Sequence, residues 1–461
     1  MSAPIERVPD DVLRAIFTRC LPPHRWSTTV SPEQAPCIFL RVCKRWHKVA
    51  KDHALLWNWL NLTLYCESRK PSETKYRALE RLLKCAKCAP ASLRIAKIGA
   101  WSDAVEGVEG EIAPEPSFIS RLVLLNPSCL SRLILQSFLN FPWEIAGPIT
   151  AFSECPFLHR VFLKHWSQGF QTNFGLRNLC LPLEHLTHYY EEETTLPASH
   201  FLLGYLPRCK KLENLYLELF EHEDMGEAAF SSWSWNECRY FQYPAFFDKV
   251  EFPNLSHLRL EGFQIYLQGD GPWNPAQIAR FLSKLNGLEN LVYLALCLNE
   301  VDHDTLRLFF GATPRITTLE IGLYRDLEVV FEALTPIDPV HPLLPKLDTL
   351  VLEVGHTGIL VEGEDDETVK PGALKAFLEY RLGSEGSRRI DQGRLHKIAA
   401  FTTTLRPEEV GDDKPYVQVI QEYVLQGLVF ERFVVPERGD PTWLYRDPRL
   451  EDWPEALWFM S

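Results

Sequence analysis

Cys85-Ala86-Lys87-Cys88 has the C-x-x-C spacing from which thiolates grip zinc or exchange a disulfide. No second pair follows at zinc-finger distance, and the flanking residues read as helix. The two thiols are therefore expected as core or surface side chains. His185 and His188 lie close to Glu191-Glu192-Glu193, a donor set with the right chemistry for a divalent metal. Their local pattern reads instead as a strand end running into a polar turn. The chain contains no Gly-x-Gly-x-x-Gly phosphate loop, no Gly-x-Ser-x-Gly elbow and no His-Glu-x-x-His helix. Arg388, Arg389, Arg394 and Lys397 form a basic cluster too short for a nucleic-acid site. The expectation is a protein without catalytic residues, metal or cofactor, whose chemistry is that of surfaces.

The elements that would carry such surfaces divide at about residue 62. Before it, Pro9 suits a helix start and Asp10 and Asp11 complement the helix dipole. Val12/Ile16 and Leu13/Phe17 form two overlapping i, i+4 pairs down one side, and Leu21-Pro22-Pro23 stops the helix. A second helix is expected from near Pro36. Phe39, Val42, Cys43, Trp46, Val49 and Ala50 keep a helical period, and Arg41, Lys44, Arg45, Lys48 and Lys51 make the outer face basic. Leu55, Leu56, Trp57, Trp59 and Leu60 then close a small helical core. So small a unit buries little of its surface, which is a physical reason to expect a partner.

Beyond Leu62 the phrase Leu-x-x-Leu-x-Leu recurs. It appears at Leu130/Leu133/Leu135, Leu158/Val161/Leu163, Leu212/Leu215/Leu217, Leu255/Leu258/Leu260, Leu291/Leu294/Leu296, Ile316/Leu319/Ile321 and Leu347/Leu350/Leu352. Ile119/Leu122/Leu124 and Leu183/Leu186 are weaker members. The last two apolar residues sit two apart on a short strand and point one way, while the residues beside them point the other. A single unit cannot bury its own apolar side, so neighbours must stack. Helices are expected around Ala78–Leu83, Ile278–Leu285, Leu306–Phe310 and Leu374–Leu378. The fold class is thus α/β: a small N-terminal helical module (1–62) and a leucine-rich-repeat-like solenoid (63–461), with parallel strands on the concave face and helices on the convex one. A plain parallel α/β sheet with helical crossovers would show similar strands.

In the solenoid reading, outward strand residues line a target-binding face: Arg160, Phe162, Lys164, Tyr216, Glu218, Arg259, Glu261 and Tyr293, with Asn214, His257, Glu320, Val351 and Glu353 beside them. Aromatics and charges of this kind suit a protein surface. Residues 222–250 add an aromatic-rich insertion and residues 361–369 an acidic loop. A C-terminal segment with Trp443, Trp453 and Trp458 is expected to cap the last repeat.

Net charge −13 argues against nucleic acid or an anionic membrane as the main partner. No apolar run approaches the roughly 20 residues of a membrane span. The opening residues lack the pattern of a signal peptide, so reduced thiols in the cytoplasm or nucleus are expected.

The N-terminal residues resemble a known family. Val8-Pro9-Asp10-Asp11-Val12-Leu13-Arg14-Ala15-Ile16-Phe17 is similar to the opening of an F-box, Val42-Cys43-Lys44-Arg45-Trp46 to its Val-Cys-Arg-Arg-Trp segment, and Leu56-Trp57-x-x-Leu60 to its closing Leu-Trp-x-x-Leu. Val8 stands where the family has Leu, and the inter-helix loop is longer than in the compact form, as in many fungal F-box-like proteins. The resemblance covers about an eighth of the chain. It implies docking on the Skp-type adaptor of a cullin–RING ubiquitin ligase. By motif position Val8, Pro9, Leu13, Ile16, Phe17, Val42 and Trp46 would supply the contacts or the core beneath them. The repeat surface would then hold an unknown target protein for ubiquitination. An unrelated amphipathic helical pair capping the repeats, a ligase-independent scaffold, and an enzyme with its site in the long loops are the other readings.

Overall fold

The computed structural model describes residues 8–21, 33–65, 81–82, 85, 91–98, 130–137, 150, 152–165, 179–195, 206–220, 253–263, 290–298, 303–323, 327–335, 343–353, 371–382, 395–402 and 414–434. The chain divides into two compact units, Met1–Tyr205 and Leu206–Ser461. The first begins with three helical segments, α1 (Asp10–Arg19), α2 (Phe39–Val42) and α3 (Lys44–Asp52), followed by a 3₁₀ turn at Ala54–Leu56. The expected second helix is broken in two. Cys43 adopts an extended backbone (φ −158°, ψ 169°), and its Sγ accepts a 3.4 Å hydrogen bond from the Trp46 amide, capping α3.

The bend turns both Phe39 and Trp46 toward α1. The ring of Phe17 stacks on Phe39 with centroids 4.4 Å apart, and Trp46 lies 4.9 Å from Phe17. Leu13, Phe17 and Trp57 are fully buried, and the Trp57 indole N–H donates to the Ala50 carbonyl at 2.8 Å. Trp59 and Leu60, expected in this helical core, instead open the first strand.

That strand, β1 (Trp59–Tyr65), pairs in parallel with β2 (Ala91–Ile98), then β3 (Leu130–Ser137), β4 (Arg160–His165) and β5 (His188–Thr195), each beside the next in chain order. Register places Leu60, Leu93, Leu133, Val161 and Tyr189 in one buried row. The weak phrase at Leu183/Leu186 is shifted by three residues: Leu186 anchors the turn, and Tyr189 takes the strand position. Residues Glu191–Glu193 continue β5 instead of forming a polar turn.

The second unit repeats the arrangement through β6 (Asn214–Phe220), β7 (His257–Phe263), β8 (Tyr293–Leu298), β9 (Thr318–Leu323), β10 (Thr349–Glu353), β11 (Lys397–Thr402) and β12 (Val429–Val434). All are parallel and paired in chain order. Leu215, Leu258, Leu294, Leu319, Leu350 and Ile398 fall in register, each at most 1% exposed. Helices α4 (His303–Ala312), α5 (Leu327–Leu334), α6 (Pro371–Leu382) and α7 (Pro415–Val424) connect successive strands from β8 to β12 and pack one on the next. Strictly sequential parallel strands, with helical crossovers in the second unit, make an α/β, solenoid-like architecture in each unit.

Strand starts are tied by the backbone. The carbonyls of Glu213, Ser256, Val292, Thr317 and Asp348 each accept two amides from the start of the next strand. The hydroxyls of Ser256 and Thr317 donate to the same carbonyls as their amides, those of Glu213 and Val292. Asn254 and Asn290 reach back in the same direction, to the carbonyls of Lys210 and Pro253. One connection is held by a side chain. Leu344 is buried with φ 47°, a conformation costly for a residue with a Cβ, and Arg381 of α6 donates to the carbonyls of Leu343 (2.7 Å) and Leu344 (3.2 Å).

The expected helices at Leu306–Phe310 and Leu374–Leu378 lie within α4 and α6. Those at Ala78–Leu83 and Ile278–Leu285 fall wholly or largely outside the described residues. So do Ile119/Leu122/Leu124, Cys88, the basic residues 388–394, the insertions 222–250 and 361–369, and the C-terminal tryptophans.

Candidate interaction surfaces

The helical module separates its apolar residues into two sets. Leu13 and Phe17 form core, while Val12 (42% exposed) and Ile16 (39%) face out, although all four were expected on one stripe. The cause is the angle between them. With Phe17 committed to Phe39 and Trp46, residues 12 and 16 are rotated about 100° away from that seam. Pro9 is also exposed, so Pro9, Val12 and Ile16 make an outward apolar stripe at i, i+3, i+7.

Across the Phe17–Phe39 stack, the other segment presents Ile38 (40%) and Val42 (53%), again one turn apart. Leu55 of the 3₁₀ turn is exposed as well. Trp46 is half-buried. Val8 is half-buried, and its carbonyl accepts from the Arg45 guanidinium, which also pairs with Asp10 at 2.7 Å. That clasp fixes the entry to α1 against the start of α3. Of the seven residues singled out by motif, Pro9, Ile16 and Val42 lie open, Leu13 and Phe17 form the core beneath them, and Val8 and Trp46 stand between. Val12 and Ile38 join the open set. Their signal in the sequence was their position, one residue before each core aromatic or leucine.

The strand positions expected as a solvated target face are placed differently. Register aligns Tyr216, Arg259, Ala295 and Glu320 across β6 to β9, on the face opposite the leucine row. Tyr216 is 4% exposed, Arg259 5%, Tyr293 3% and Glu320 0%. They bury one another. The Arg259 guanidinium lies 5.3 Å from the Tyr216 ring and forms an ion pair with Glu320, whose second oxygen accepts from the Tyr293 hydroxyl. His257 stacks on Tyr293 with centroids 5.7 Å apart, its Nδ1 within 2.8 Å of the Ser256 hydroxyl. Burial pulls the His257 imidazole down to about 4, so it is neutral near pH 7.

In the first unit Phe162 is fully buried against Tyr190, ring centroids 4.2 Å apart, and Arg160 is half-buried. Neighbouring strands lie about 4.8 Å apart, close enough for large side chains to roof each other, which is why these positions do not present a free surface. Lys164, Glu218 and Glu261 lie on β4, β6 and β7, but their side chains fall outside the described residues.

Among the described residues no three His, Cys, Asp or Glu side chains converge as metal ligands. Exposed His185 lies in a 3₁₀ turn, whereas His188 is buried on β5 beside the Thr187 hydroxyl. Buried thiols are held protonated: burial raises Cys37 to about 11, with nearby Cys85 adding to the effect, and raises Cys155 and Cys209 to about 12. No helix among the described residues is long and apolar enough to cross a membrane. No protein-family model matches the chain, and no curated protein matches it.

Proposed function

We propose that this chain is the substrate-receptor subunit of a cullin–RING ubiquitin ligase, an F-box-type module joined to a leucine-rich-repeat-like solenoid. The observation that carries the reading is the open apolar surface of the helical module. Pro9, Val12 and Ile16 on one segment and Ile38 and Val42 on the other stand exposed around a locked aromatic core. Apolar side chains held outward at one-turn spacing suit docking against a complementary groove. All of them but Ile38 fall within the motifs through which the chain resembles the F-box family.

In this reading the module binds the Skp-type adaptor. The repeat units hold a target protein, and a recruited enzyme transfers ubiquitin to a nearby lysine. The chain contributes proximity and catalyses nothing itself. The buried state of Tyr216, Arg259 and Tyr293 moves target recognition away from that row, toward loops and strand ends. A cytoplasmic or nuclear site of action follows from the ligase role.

The test is titration of the purified full chain with a purified Skp-type adaptor. A one-to-one complex is expected, lost in Ile16→Asp and in Val42→Asp, both of which keep the parent far-UV circular dichroism. If the parent forms no complex at micromolar concentrations, the ligase reading is wrong. If it binds the adaptor but no cellular protein turns over more slowly when the chain is deleted, the scaffold reading takes its place.

A further inference from the structure

Charge is distributed unevenly along this chain. Residues 1–62 carry nine Lys and Arg against five Asp and Glu, whereas the whole chain is −13. Within the module one of those acids, Asp10, is taken up by Arg45. Lys44, Lys48 and Lys51 are exposed at i, i+4, i+7 along α3, on the side opposite buried Val49 and Ala50 and half-buried Trp46. Arg19 is exposed one turn beyond Ile16, so the stripe Pro9–Val12–Ile16 runs directly into a cation. The helical module therefore carries net positive charge on an otherwise acidic protein, with Asp11 the exposed acid beside the apolar stripe.

We propose that the partner of the helical module carries carboxylates around its apolar groove, and that this charge steers the encounter and sets the orientation of docking. The inference rests on the adaptor reading above and adds a partner chemistry to it. Two features support an electrostatic role beyond ordinary solvation. Three lysines on one helical stripe reinforce each other's field, with Asp52, one turn after Lys48, the one acid of α3. The acidic remainder of the chain would repel an acidic partner that approached elsewhere, leaving the module as the favoured entry. Apolar contacts would then hold the complex, while the module's basic residues would govern how fast and which way round it forms.

The experiment is stopped-flow association of the full chain with the Skp-type adaptor from about 0.1 to about 1 M salt, across which the screening length contracts from about 10 to about 3 Å. The association rate is expected to fall at least about tenfold over that range, with dissociation nearly constant. Lys44→Glu/Lys48→Glu/Lys51→Glu is expected to lower association by a similar factor at low salt and to flatten the salt dependence. The Lys→Gln triple, which cannot introduce new repulsion, should fall between. Circular dichroism matching the parent checks the fold of each variant. A complex whose association ignores both salt and these substitutions overturns the electrostatic inference and leaves apolar docking standing. Absence of any complex with the parent chain overturns both.

Discussion

Arg259 and Glu320 are 61 residues apart in sequence and two strands apart in the sheet, yet they form a buried ion pair across Ala295. A side chain larger than alanine on β8 would stand in the path of the guanidinium. The pair, with the Tyr293 hydroxyl on the same carboxylate, links β7, β8 and β9 through side chains as well as through backbone. Removing one partner strands a charge where water cannot reach it. Glu320→Ala is expected to destabilise the second unit by about 3–5 kcal/mol, read as a lowered denaturant midpoint. Arg259→Met/Glu320→Leu should recover most of that loss, because no buried charge then remains.

Ala295→Leu tests the crossing itself. The substitution is expected to cost about 1–3 kcal/mol through overpacking. Combined with Glu320→Ala it should cost less than the two losses added, because both changes break the same contact. Strict additivity in a double-mutant cycle would refute the arrangement.

The stability of the second unit should fall in mild acid through His257. Its folded value, about 4, lies below the ordinary 6.5. The unfolded chain therefore binds more protons between those values, and stability is complete above about 6.5 and lost as pH falls toward 4. The effect is expected to reach about 3 kcal/mol by pH 4. His257→Gln should flatten this part of the pH–stability profile in thermal melts.

In the helical module the core and the open surface should separate cleanly. Phe17→Ala removes a ring that stacks on Phe39 and packs against Trp46, and is expected to cost about 3–5 kcal/mol. Hydrogen exchange of α1 and α3 would rise accordingly. Val12→Ala and Val42→Ala should stay within about 0.5 kcal/mol of the parent, since both side chains are already in water.

Arg381 should prove irreplaceable by lysine. Its two terminal nitrogens reach the Leu343 and Leu344 carbonyls, and burial lowers it to about 10. Both Arg381→Met and Arg381→Lys are expected to lose about 1–3 kcal/mol, because neither can satisfy two carbonyls in that geometry. Full recovery in the lysine variant, measured by urea titration, would contradict the role assigned here.

Much of the strand pattern was legible because Leu-x-x-Leu-x-Leu encodes an inward row by period two. Leu215, Leu258, Leu294, Leu319 and Leu350 are that row. β2, β11 and β12 escaped notice, since the places of the paired leucines hold Leu93 and Ile95, Ile398 and Ala400, and Phe430 and Arg432. The break at Cys43 was hidden because the apolar spacing runs through it; only the thiol's capping bond reveals it. The buried pair was half legible. Arg259 and Glu320 occupy equivalent places between the paired leucines of their phrases, two repeats apart, and Ala295 is the small residue between. Their burial was not legible, because it depends on side chains stacking across strands instead of along one.

The paired amides on the carbonyls of Glu213, Ser256, Val292, Thr317 and Asp348 have an evolutionary consequence. A strand started this way takes its alignment from the one before it. Within a unit, loops of very different length enter the same row of leucines. Insertions and deletions there can accumulate without shifting any side chain to the wrong face. Such a scaffold can diversify its loops rapidly while its interior stays constant.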